Sequence, residues 1–127
     1  MLREDYLLKL VRQAAEAIAR ALKLSEEERH DEAERELAEA WQRLLKMPRD
    51  LFFMLDERTV SESIGDAATV RVAARACVAE ARLLERRGDR AGARTRHRRA
   101  LSLYGHVGVG DAPEDAEALA AAKAALG

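Results

Sequence analysis

The chain has 127 residues, enough for one domain with a core of its own, and 48% of them are hydrophobic against 35% charged. That mixture is typical of amphipathic helices. A formal net charge of −1 gives no global field toward nucleic acid or an anionic membrane, and one cysteine rules out an intramolecular disulfide. Alanine runs such as 120-AAAKAAL-126, with only 4% aromatics, predict close helix packing and little large apolar surface for a ligand pocket.

The opening 1-MLREDYLLKLVRQ-13 places charges where a signal peptide would be uncharged, and no apolar run reaches the ~20 residues of a membrane span. The expected location is the cytoplasm. Over residues 3–24, Leu7, Leu10, Val11, Ala14, Ala17, Ile18, Ala21 and Leu24 recur at three- and four-residue steps, which predicts a long helix. Leu8, Ala15, Ala19 and Leu22 widen its apolar stripe toward a second neighbour.

After the polar turn 25-SEEERH-30, in which Ser25 and Glu28 could make a capping box, a second helix is predicted to about residue 45. Ala33, Leu37, Ala40, Trp41 and Leu44 form its inner face, and Pro48 ends it. The cluster 51-LFFML-55 is too short for a full helix and too apolar for a plain loop. It reads as one or two helical turns laid over the core.

Asp66 is the expected cap of a third helix reaching residue 87, with Val70, Ala74, Cys77, Ala81 and Leu84 inside. Gly88-Asp89 makes the turn into a fourth, 90–104, whose inner positions are Ala93, His97, Ala100, Leu101 and Tyr104. A glycine-rich link then leads to a last helix beginning at Pro113. With no competing strand pattern the fold class is all-α. Its parts are a hairpin over 3–46, an insertion over 47–65, a hairpin over 66–104, a linker over 105–112 and a capping helix over 113–126.

Ala81 and Leu84, the Gly88-Asp89 turn, and Ala93, Ala100, Leu101 and Leu103 together resemble a tetratricopeptide repeat. The departures are Cys77 for tryptophan, Glu80 for leucine, His97 for an aromatic residue and Gly105 for proline. Ala17, Ala21, Leu24, Ala33, Leu37 and Ala40 repeat the pattern sixty positions earlier, so segment 46–72 becomes an insertion between two hairpins. The stretch Asp5-Tyr6-Leu7-Leu8 also resembles the opening of a bacterial protein family with no assigned activity.

The resemblance to tetratricopeptide repeats implies a non-enzymatic protein-interaction module whose first helices line a concave groove. On that groove Arg75, Arg82 and Arg86, spaced by seven and four, would pair with the carboxylates of an acidic peptide. The alternative is nucleic acid bound through residues 82–99, which hold eight arginines against Glu85 and Asp89. No aromatic residue in that stretch could stack on a base.

No nucleophile–base pair, cofactor loop or metal-ligand spacing is apparent; His30, His97 and His106 are scattered, and His97 is expected to be partly buried. Neither enzymatic activity, a metal nor a cofactor is expected. The acidic run 26–39 and the arginine-rich 82–99 suggest self-complementarity, within the fold or in a homodimer whose contact is Leu8, Ala15 and Leu22.

Overall fold

The computed structural model describes the backbone of residues 2–127 and the side chains of residues 5–127. Among the described residues every regular element is a helix: α1 (Leu2–Glu26), α2 (His30–Leu44), α3 (Arg49–Met54), α4 (Glu57–Ile64), α5 (Ala67–Arg86), α6 (Arg90–Val107) and α7 (Pro113–Leu126). The all-α class is as the periodicities require.

Two helix pairs organise the molecule. Arg20 of α1 reaches Glu36 of α2, while Gln13, nearer the start of α1, accepts from Arg43, nearer the end of α2. The helices therefore run antiparallel. In the second pair, Glu80 of α5 meets Arg96 of α6, and Arg71, earlier in α5, holds the carbonyls of Val107 and Gly108 at the far end of α6. Helix α5 is the centre of the fold, packing against α1, α2, α6 and α7. Accordingly, the run from Val72 to Ala81 is buried except at Arg75.

The inner faces expected of α2, α5 and α6 are buried apart from Leu84 and Leu101, which are half-buried. Most of these residues are small. Alanine contributes little transfer free energy by itself, but it lets helix axes close to a short distance over many turns. The large buried exceptions on these faces are Leu37, Trp41, Leu44, His97 and Tyr104.

Asp66 caps α5 by accepting from the Thr69 N–H, and Asp56 caps α4 in the same way from Thr59. The Thr59 backbone and hydroxyl bonds hold the Asp56 carboxyl below the usual aspartate range. Gly88 has φ +88°, the left-handed turn that a Cβ would strain, and Asp89 then caps α6 through the Gly92 N–H.

Several boundaries differ from the sequence expectation. Ser25 and Glu28 form no capping box: Ser25 is buried in the last turn of α1, and Glu28 adopts φ +61° in the turn. Helix α2 stops at Leu44, and Pro48 starts α3 because its fixed φ suits a helix entrance. The fourth helix continues through Gly105 to Val107, so the linker begins at Gly108 rather than at 105. Gly105 is exposed, and helical glycine costs only about 1 kcal/mol there. Arg71 secures the new end by donating to Gly108 O at 3.0 Å and Val107 O at 2.9 Å. The linker passes so near Arg71 that a Cβ at Gly110 would stand 3.1 Å from its Cζ.

The helical turns expected at 51–55 are α3, and the insertion adds a second short helix, α4. Phe52 is fully buried, with its ring centroid 5.1 Å from that of Trp41, and Phe53 lies 5.7 Å from Trp41. Arg96 sits over the Phe53 ring at 4.2 Å, and Arg99 holds the carbonyls of Phe53 and Leu55. Leu51 and Met54 face outward, Met54 at 82% exposure. Replacing Phe52 by alanine is expected to cost about 3–5 kcal/mol, read as a lower denaturant midpoint. The exposed Met54→Ser substitution is expected to leave that midpoint unchanged, and this contrast checks which face of 51–55 covers the core.

Candidate functional site

The most polar feature of the interior is a buried carboxylate. Glu80 is 3% exposed and stands on the apolar face of α5, where the repeat pattern would have leucine. Its Oε1 accepts from Trp41 Nε1 at 3.1 Å and from Arg49 Nη1 at 2.8 Å, and its Oε2 accepts from Arg96 Nε at 2.7 Å. One side chain thus joins α2, α3, α5 and α6. Arg49 also reaches Glu34 at 2.7 Å. Burial pulls the Arg49 pKa down, but its bonds and charge interactions with Glu34 and Glu80 outweigh this and hold it above the usual value.

A second buried carboxylate secures the last helix. Asp115, in the first turn of α7, is 2% exposed, accepts from the Tyr104 hydroxyl at 2.7 Å and lies 3.0 Å from Arg75 Nε. Burial and the Asp115 charge push the Tyr104 hydroxyl well above the ordinary tyrosine range. These groups have every attribute of structural ties, since their acceptors and donors already face one another.

One expected site residue is already engaged by this tie. Arg75 does not stand free on the groove: it pairs with Asp115 and approaches Glu114 at 3.7 Å, so α7 already holds it. Arg82 and Arg86 are exposed, and among the described residues neither makes an ion pair. They line a cleft of about 330 Å³ with Leu22, Ser25, Glu26 and Glu85.

That cleft adjoins another of about 140 Å³ with an apolar lining of Ala15, Ile18, Ala19, Leu22, Val78 and Ala118, joined by Arg75 and Arg82 and, from α7, by Glu114 and Glu117. Together they make a furrow between α1 and α5, bordered by α7. Ala15, Ile18 and Leu22 share it with Arg75, Val78 and Arg82, each sixty positions later. The two helices therefore lie side by side along the furrow with an offset of sixty positions.

Of the eight arginines in 82–99, three are turned to the fold's own use. Arg87 pairs with Asp31 at 3.0 Å, Arg96 with Glu80, and Arg99 with carbonyls of the insertion. The remaining five, Arg82, Arg86, Arg90, Arg94 and Arg98, are exposed without an ion pair among the described residues. Arg90 and Arg94 line a third cleft with Glu85 and Ala125. The Glu85 carboxylate instead faces His97 Nε2 at 3.4 Å, and His97 is buried outright rather than in part, at 2% exposure.

The acidic run is likewise engaged inside the chain. Asp31, Glu34 and Glu36 pair with Arg87, Arg49 and Arg20 of other helices, while Glu32 and Glu39 pair locally with Arg29 and Arg43. Between the acidic run 26–39 and the arginine-rich 82–99, however, Asp31–Arg87 is the one ion pair among the described residues. Of the expected dimer contact, Leu8 is 60% exposed, whereas Ala15 and Leu22 are half-buried against the core. Among the described residues no group of three or more His, Cys, Asp or Glu side chains is placed to hold a metal ion. Cys77 is fully buried, and desolvation pushes its thiol well up.

Comparison with known protein families, with curated proteins and with solved structures finds no match to this chain.

The Glu80 tie missed by motif analysis had one signal, a carboxylate at a position of the α5 stripe that should be apolar. Substituting Glu80 by alanine strands Trp41 Nε1 and Arg96, leaves Arg49 with Glu34 alone, and is expected to destabilise the fold by about 3–5 kcal/mol, measured by denaturant unfolding. The raised Tyr104 pKa makes a separate prediction. The unfolded phenol ionises near its ordinary pKa of 10 while the folded one keeps its proton, so this contribution is intact below about pH 10 and declines above it. A Tyr104→Phe chain should lose part of that alkaline slope in unfolding experiments between about pH 9 and 11.

Proposed function

We propose that this chain is a non-enzymatic protein-interaction module of tetratricopeptide-like construction, which takes an apolar segment bearing acidic residues into the furrow between α1 and α5. The observation that carries the reading is the furrow itself: an apolar floor continued at one end by two arginines, Arg82 and Arg86, that the fold leaves unpaired. The shared register of α1 and α5 along the furrow supports the repeat-like part of the proposal. Helix α7 fits the role of a terminal cap, since it packs on both helices of the second hairpin.

Carboxylates suit the arginine end because guanidinium pairs them bidentately. Glu26 and Glu85 border the same cleft, so the partner's acidic group must approach from the Arg82–Arg86 side. Nucleic acid along 82–99, the competing reading, would rest on five arginines rather than eight. A membrane-spanning role is not part of the proposal, since no helix among the described residues is long and apolar enough to cross a membrane.

The test is fluorescence anisotropy with labelled peptides that combine leucine and glutamate. The wild-type chain is expected to bind them, and the Arg82→Glu/Arg86→Glu chain to bind at least about tenfold more weakly, roughly 1.4 kcal/mol. Equal affinity for both chains, or no binding by the wild type at low salt, overturns the reading.

A further inference from the structure

We propose that Arg90, Arg94 and Arg98 form a second docking surface on α6, one that accepts an acidic helical segment of another protein. The inference rests on the reading of the chain as a protein-interaction module, but it uses a different face from the α1–α5 furrow.

Helix α6 carries five arginines and, from Arg90 to Val107, no aspartate or glutamate. Arg96 and Arg99 are drawn inward to Glu80 and to the insertion. The other three are exposed at four-residue intervals, so they form one stripe with rungs about 6 Å apart. Their positions work against the helix. Arg90 opens α6, where the helix dipole disfavours cations and the Asp89 cap is the acidic group at that end. Arg90–Arg94 and Arg94–Arg98 are like-charged neighbours at i, i+4. An arrangement that opposes folding and finds no partner within the described chain points to a partner outside it.

An acidic helix fits that vacancy. Carboxylates at i, i+4 and i+8 repeat at the same interval as the arginines, and each can meet a guanidinium edge-on. A second copy could offer its acidic run 26–39 only in part, because Asp31, Glu34 and Glu36 on α2 are held by arginines of their own chain. Nucleic acid is disfavoured because α6 exposes no aromatic ring for a base: Tyr104 is buried.

The experiment uses two labelled peptides of identical Ala, Glu and Lys composition, one with three glutamates on a single face at four-residue spacing, the other with the same glutamates spread around the helix. Anisotropy at low salt should show the aligned peptide binding at least about tenfold tighter. Arg94→Glu should abolish the difference, and Ala19→Glu, in the furrow, should leave it intact. Equal binding of the two peptides, insensitivity to Arg94→Glu, or tighter binding of a mixed-sequence DNA duplex overturns the proposal. If the leucine–glutamate peptides still depend on Arg82 and Arg86 in that event, the furrow reading stands and only the α6 surface is lost.

Discussion

The arrangement of this molecule depends on the Glu80 carboxylate. A charge at 3% exposure is tolerated only when its lone pairs are met, and here they are met from three other helices by Trp41, Arg49 and Arg96. A leucine at this place would pack, and could pack in several ways. The carboxylate admits only the arrangement in which all three donors reach it at once. That constraint sets the rotation of α5 against α6, the height of α2, and the path of the chain from Pro48 into α3.

The same constraint explains why a core so rich in alanine has a defined shape. Small side chains interdigitate weakly and specify register poorly, so the register comes from a few large or polar groups. Trp41, Phe52 and Phe53 pack with tilted and edge-on rings beside the Glu80 tie, and Arg96 belongs to both, lying over Phe53 while donating to Glu80. At the other side of α5, Asp115 repeats the device on a smaller scale. It draws Tyr104 and Arg75 together and thereby seats α7, whose own buried contacts are little more than Ala118 and Ala122.

Surface geometry follows from unequal helix lengths. Helix α1 has 25 residues and α2 has 15, so the first turns of α1 run on past the end of α2, by about 1.5 Å for each extra residue. Tyr6, Leu7 and Leu8 are exposed there because no antiparallel neighbour remains to cover them. Further along, α1 is covered by α2 on one side and by α5 on another, and the gap it leaves with α5 is the furrow. The proposed function belongs to this gap and to arginines that the internal ties do not engage.

The five long helices, the pairing of neighbours and most inner faces were legible in the amino-acid sequence, because apolar residues at three- and four-residue steps and an Asp or Gly at a turn act locally. Ala33, Leu37, Ala40 and Trp41 need only their own helix to declare which side is buried. The arginines could not be sorted that way. Arg82 and Arg96 look alike in the chain, yet one ends at a cleft and the other on Glu80, because a long flexible side chain is directed by whatever lies beyond its helix. Arg75 had the spacing of a groove residue and was taken by Asp115, forty positions later. Local periodicity determined the helices of this protein. Which charges it pairs within the fold, and which it leaves exposed, was decided only by tertiary contacts, since burial and pairing are properties of the packed neighbours and not of the residue.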